Sequence, residues 1–139
     1  MKDKVTVRGH VKVRRNGKLL YENHNLITTL GLAMIAAALG GGDLPIDMAV
    51  GDDATIPAVD QVALQGTEHS RVTMTNFAED NAITFSAVFT ATLGGTVDIA
   101  EFGIFDTNDI MLCRFICPEF ECTNTDLLEV DWTLTFGEE

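Results

Sequence analysis

The sequence predicts a mainly β protein: an antiparallel β-sandwich or jelly roll with an N-terminal β-hairpin arm and one short helix. Three observations predict it. Most apolar runs alternate with polar residues at period 2, the mark of half-buried strands. Turn residues separate these runs at short, regular intervals, as in all-β sandwiches and barrels. One stretch alone carries helical spacing. The chain has 139 residues, 46% hydrophobic and 22% charged, which suits one domain with a real core.

The first element is the hairpin. Val5-Thr6-Val7-Arg8 and Val11-Lys12-Val13-Arg14 alternate apolar and polar residues, with Gly9-His10 as an expected bulge or bend. Asn16-Gly17 then separates them from Lys18-Leu19-Leu20-Tyr21, and an Asn-Gly pair between such runs is a strong hairpin signal. The solvent face of this hairpin should carry the Lys and Arg side chains. Residues 1–24 are therefore set apart as a basic arm, and 25–139 as the sandwich body.

The helix follows, near 28–39, capped by Asn25 or Thr28. Leu30, Ala33, Met34, Ala37 and Ala38 fit helical spacing, and Leu32, Ile35 and Leu39 make the segment apolar nearly all round. Such a helix is expected to be buried on most sides, against its own sheet or a neighbouring chain. Leu30, Met34 and Ala37 are its candidate oligomer or core positions. Gly40-Gly41-Gly42 ends it.

The rest reads as β. Ile46 to Val50 is a short strand, and Gly51 to Gly66 is loop-rich. Ser70 to Phe77 alternates and turns at Glu79-Asp80-Asn81 into Ile83 to Thr90. Ile99 to Phe105 and Ile110 to Cys117 flank the turn Asp106-Thr107-Asn108-Asp109. Leu128, Val130, Trp132, Leu134 and Phe136 put one face of the last strand in the core.

Charge divides along the same line. The net charge is −12, from 9 Lys and Arg against 21 Asp and Glu. Residues 1–24 hold seven basic and two acidic residues, a net +5. The remainder holds only Arg71 and Arg114 against 19 acids, a net −17. The acidity argues against a protein that coats nucleic acid or lies on an anionic membrane. It suits a body that meets a basic partner. Lys4, Arg8, Lys12, Arg14, Arg15 and Lys18 are the candidate partner-binding residues. Either they pair with the chain's own body or they meet the acidic body of a neighbouring copy, a contact that salt would loosen.

Little in the sequence points to chemistry. Cys113, Cys117 and Cys122 form an odd set whose spacing matches no common zinc site, so buried structural thiols are expected. Asp52-Asp53, Asp98 with Glu101, and Asp106 with Asp109 are acid pairs each expected to sit in a turn, and none matches the calcium-loop pattern. His69-Ser70 and Cys113 lack a third partner placed by any motif. Nucleophile-elbow and phosphate-loop patterns do not occur. No enzyme activity, cofactor or metal is expected. Glu101, beside an apolar run, reads as a strand residue bonded to a neighbouring loop. Leu30 to Leu39 is too short to span a bilayer, and no secretory h-region follows the N-terminal lysines.

Several stretches, in order, resemble a family of small tailed-bacteriophage virion proteins. They are Asn25 to Leu32; Met48-Ala49-Val50-Gly51-Asp52 with Thr55, Pro57 and Ala58; and Ala63-Leu64, Gly66-Thr67-Glu68 and Arg71. Ile99 to Phe105, Met111-Leu112-Cys113-Arg114 and Trp132 to Phe136 follow. Members include head-decoration (cement) and tail-fibre-like proteins. The resemblance implies a β-sandwich or jelly roll and a non-enzymatic assembly role in the virion, assembled in the host cytoplasm. As a cement protein, the chain would bridge major capsid subunits on the shell exterior as a homo-oligomer, commonly a trimer. The alternatives are a tail, baseplate or fibre-attachment component, and a carbohydrate- or Ca-binding jelly-roll module.

Overall fold

The computed structural model describes residues 5–27, 29–42, 44–90, 93 and 95–138. Its strands are β1 (Val5–Arg15), β2 (Lys18–Ile27), β3 (Pro45–Gly51), β4 (Glu68–Thr73), β5 (Thr75–Glu79), β6 (Ala82–Phe89), β7 (Val97–Asp106), β8 (Met111–Cys122) and β9 (Leu128–Glu138), with one helix, α1 (Thr29–Leu39). All pairings are antiparallel, in the order β4-β3-β7-β8-β2-β1-β9-β6-β5. This row folds into two facing sheets. The mainly β, sandwich-like architecture is the one expected from the alternation; the strand order does not by itself make it a jelly roll.

The fold-over happens in two places. Within β2, residues 18–25 pair with β1, while Leu26 and Ile27 pair with Arg114 and Cys113 of β8, so the strand belongs to both sheets. At the other side, β4 and β5 stand at opposite ends of the order yet are separated by Met74 alone. The single strand expected over Ser70 to Phe77 is thus two. Met74 N–H donates to Ile46 O at 2.8 Å, which anchors the break to the β3 side.

The hairpin is present, and its turn has the chemistry the sequence announces. Asn16 and Gly17 have φ of 53° and 81°, as a two-residue primed turn requires. It is not a separate arm, however. β1 is inserted between β2 and β9, with continuous register from Val5↔Glu138 to Arg15↔Leu128. Val11 and Val13 are fully buried. The expected bulge at Gly9-His10 is absent; the β1–β2 register shifts instead between Val13 and Arg14, where the extra residue, Leu20, belongs to β2.

The two sheets enclose one core. Val11, Val13, Phe85, Phe89, Val130 and Trp132 meet Met48, Val50, Phe102, Ile104 and Phe115 across the sandwich. The Phe115 and Trp132 rings stack edge to face, with centroids 6.4 Å apart. β7 is buried on both faces from Ile99 to Asp106. Its outer face is covered because segment 52–67 folds back over it, seating Leu64 against Ala49, Phe105 and Met111. Gly103 makes this close approach possible, since a Cβ there would meet Leu64 and Phe105 at 3.0 and 2.9 Å.

The helix departs from expectation. Asn25 pairs with Gly9 inside β2 and so does not cap α1; Thr28 lies outside the described residues. The glycine stop forms as read: Gly42 N–H reaches Ala37 O at 2.8 Å, Gly41 N–H reaches Ala38 O at 3.1 Å, and Gly41 has a φ of 89°. That is a Schellman motif. One side of the helix packs on β8, with Gly31 pressed against the Leu112 backbone. Among the described side chains, Leu32, Ala33, Ala37 and Leu39 are exposed in the single chain, so burial against its own sheet does not extend to them.

Candidate functional site

The basic residues come first, since the sequence nominates them. With Val11 and Val13 facing the core, alternation places Arg8, His10, Lys12 and Arg14 on the outer face of β1. Three of them meet acids of their own chain there. Arg14 Nη1 donates to Asp131 Oδ2 at 2.8 Å, and Ser86 Oγ donates to the other Asp131 oxygen at 2.8 Å. Lys12 Nζ lies 3.5 Å and His10 Nε2 3.3 Å from Glu22 Oε2. His10 chiefly, with Lys12, holds the Glu22 carboxyl below the usual carboxylate range against the opposing effect of desolvation. Arg15 Nη1 donates to Glu121 O at 2.8 Å. Arg8 and Lys18 are exposed. Lys4 lies outside the described residues. Of the two readings of the basic segment, self-pairing is what Lys12, Arg14 and Arg15 do.

The candidate helix positions are only partly visible. Ala37 is exposed, and the side chains of Leu30 and Met34 lie outside the described set.

The structure's most distinctive polar cluster sits elsewhere, on the outer face of β7 and β8. Glu101 is 0% and Arg114 1% exposed, and Arg114 Nε donates to Glu101 Oε1 at 3.0 Å. Three backbone N–H groups complete the carboxylate's shell. Gln65 N–H reaches Oε1 at 2.8 Å; Asp53 and Gly66 N–H reach Oε2 at 3.0 and 2.8 Å. The guanidinium answers in the same way. Nη1 donates to Thr55 O at 2.6 Å and to Gln61 Oε1 at 3.3 Å, and Nη2 to Asp53 O at 2.9 Å. Burying this pair is tolerable only because donors and acceptors are saturated on both sides. Gly51 is needed here, since a Cβ would stand 2.7 Å from Glu101 Oε2.

The flanks of the 52–67 loop are tied down as well. Asp52 accepts from Thr67 N–H at 2.9 Å and contacts His69 Nε2 at 3.0 Å. Asp53 accepts from Thr55 N–H at 2.6 Å; bonds from Thr55 first, and Arg114 further off, keep its carboxyl below the usual range. Arg71 bridges Glu68 at 2.8 Å and Asp109 at 2.7 Å, with its guanidinium 4.1 Å from the centre of the Phe105 ring. This arrangement is a clamp. Glu101's acceptor positions are occupied by fixed donors, so its chemistry is to hold backbone in place.

What the clamp holds up is apolar. Ile56 is 80% exposed, and Val59 and Val62 are about half exposed. A 16-residue segment without regular structure is thus kept in one shape with its aliphatic tip in solvent.

The other sequence candidates have local duties. Asp106 Oδ1 accepts from Asn108 and Ile110 N–H at 2.8 and 2.9 Å, which builds the β7–β8 turn. Cys113, Cys117 and Cys122 are buried thiols, as expected, and burial pushes Cys117 up to about 12. Among the described residues, no three His, Cys, Asp or Glu side chains gather as a metal site, and no helix is long and apolar enough to cross a membrane. Glu101 is bonded to a neighbouring loop, as its position beside an apolar run suggested. Sequence reasoning missed Arg114 as its partner. The available signal was one charge in each of two strands that are otherwise apolar at both parities, Ile99 to Phe105 and Met111 to Cys117.

Comparison with protein-family models, with curated proteins and with solved structures finds no match for the chain.

Proposed function

We propose that the chain is a non-enzymatic structural protein of a tailed-bacteriophage virion, and specifically a capsid cement protein that bridges major capsid subunits as a homo-oligomer. The observation that carries this reading is the use of the buried Glu101–Arg114 pair. The most elaborate polar cluster described is spent on fixing the shape of a surface loop, as an assembly module needs. The phage-like stretches around Gly51-Asp52, Gly66 to Arg71, Glu101 and Arg114 are the stretches that build this clamp. A protein that binds only the assembled shell stabilises it by mass action, and several modest contacts per oligomer add up through avidity.

Copy number in purified particles tests the reading. A cement protein is expected at a stoichiometry that tracks the major capsid protein. A copy number that tracks a single tail ring would replace it with the tail or baseplate reading. Absence from particles would end both.

A further inference from the structure

The turn between β1 and β2 does more than reverse the chain. Through Asn16 it is bonded to the connection between β8 and β9. The Asn16 backbone N–H donates to Leu127 O at 2.8 Å. Its side-chain Oδ1 accepts from Leu127 N–H at 2.8 Å, and its Nδ2 donates to Asp126 Oδ1 at 2.9 Å. The other Asp126 oxygen accepts from Thr123 N–H at 2.9 Å, which closes the neighbouring turn. The carboxamide is thus used at both ends, its oxygen for a donor and its nitrogen for a carboxylate. An aspartate at position 16 could do only the first, because an ionised carboxylate has no donor to offer Asp126.

The same residue is placed to undergo that change. Of the seven asparagines in the chain, Asn16 alone precedes a glycine, and both residues are exposed. A glycine nitrogen, with no side chain beside it, can attack the carboxamide carbon of the residue before it. A bond forms between Gly17 N and Asn16 Cγ, and the bond from Cγ to Nδ2 breaks. Nδ2 leaves as ammonia, taking the proton that Gly17 N gives up. Water then opens the cyclic imide at either carbonyl, leaving aspartate or isoaspartate. In the closed hairpin the leaving nitrogen is the one bonded to Asp126, and Cγ carries the oxygen bonded to Leu127. Turning the carboxamide towards Gly17 N takes it out of both bonds, in a turn whose φ angles are fixed at 53° and 81°. The reaction therefore belongs to the opened turn.

We propose that Asn16 is a deamidation site gated by the fold: the closed hairpin shields it, an opened hairpin lets it react, and the product holds the turn and the 123–127 connection apart. With aspartate at position 16, two carboxylates face each other where Nδ2 now meets Asp126 Oδ1, and like charges at that distance disfavour the ionised pair. Isoaspartate adds a backbone atom to a two-residue turn, whose length sets the register of β1 against β2. A transient opening becomes permanent, with water as the only co-reactant.

The test incubates the purified full-length chain in mildly alkaline buffer, once folded and once in guanidinium chloride, and maps the conversion of amide to acid by peptide mass spectrometry. Reaction at Asn16 should run at least about tenfold faster in the unfolded chain, which corresponds to an opening cost of about 1.4 kcal/mol or more in the folded turn. Asn16→Asp reproduces one product and should lower the urea midpoint of unfolding. Asp126→Asn puts a donor opposite the new carboxylate and keeps an acceptor for Thr123 N–H, so the double variant Asn16→Asp/Asp126→Asn should recover much of that loss. A purely steric role for Asn16 predicts no recovery. Equal rates in the folded and unfolded chain overturn the gating. An Asn16 that stays intact in guanidinium overturns the site itself. An Asn16→Asp chain as stable as wild type, or a double variant no more stable than Asn16→Asp, overturns the proposed effect of the product.

Discussion

At the residue scale, the Glu101–Arg114 pair decides the shape of the loop. Glu101→Gln would leave a guanidinium buried beside a weaker acceptor, and breaking a buried pair from one side costs about 3–5 kcal/mol. Urea unfolding should show that loss. The double variant Glu101→Gln/Arg114→Met should lose less than the sum of the two single changes, because no charge is then stranded. Strict additivity would show that the two groups do not act as a pair. Acid should act through Asp126 and Asp53. Asn16 Nδ2 at 2.9 Å and then Thr123 N–H hold Asp126 below its ordinary range, and the Thr55 bonds do the same for Asp53. A folded pKa below the unfolded one gives stability that is complete at neutral pH and lost as pH falls below about 4. Thermal melts between pH 7 and pH 3 should therefore fall less steeply for Asp126→Asn than for wild type. Matching slopes would rule out this contribution. The role of Glu101 was readable from a lone acid in an apolar run. Its partner was not, because the chain between the two, 13 positions apart, says nothing about register.

At the element scale, the hairpin and the helix mark where local pattern stops being sufficient. Period 2 and Asn-Gly correctly give two strands and their turn, since both depend on neighbouring residues. They do not reveal that β1 finds a second partner in β9, more than a hundred residues away. The basic face suggested a projecting arm. The valines at 11 and 13 were the contrary signal, because an arm has no core in which to bury them. Deleting residues 1–15 should consequently abolish the fold. Loss of the near-ultraviolet circular dichroism of Trp132 and of any cooperative melt is the expected result. A truncated chain that melts cooperatively would restore the arm. The helix was readable only in part: its apolarity all round predicted burial against its own sheet or a neighbouring chain, and within the chain the side bearing Gly31 is packed on β8.

At the scale of the whole molecule, the structure favours one of the two readings of charge that the sequence leaves open. A +5 segment on a −17 body invites a picture of copies held together by opposite charge, which salt would weaken. The structure shows Arg14 and Lys12 bonded within one copy, to Asp131 and Glu22. Between copies, a net charge of −12 on each is repulsive. Raising ionic strength from about 0.01 M to about 0.15 M cuts the Debye length from about 30 to about 8 Å. Self-association should then tighten, and sedimentation at the two salt levels checks the sign. Looser association at the higher salt would return the contact to ion pairing. The central place of β1 also constrains the order of events during synthesis. β1 is made well before residues 128–138 and must wait for them before its second edge is covered. Until then it offers the ribosome-bound chain an open row of amides and a pair of uncovered valines. The nascent polypeptide is thus committed to late, all-at-once closure, a topology that favours slow folding and a need for chaperone shelter.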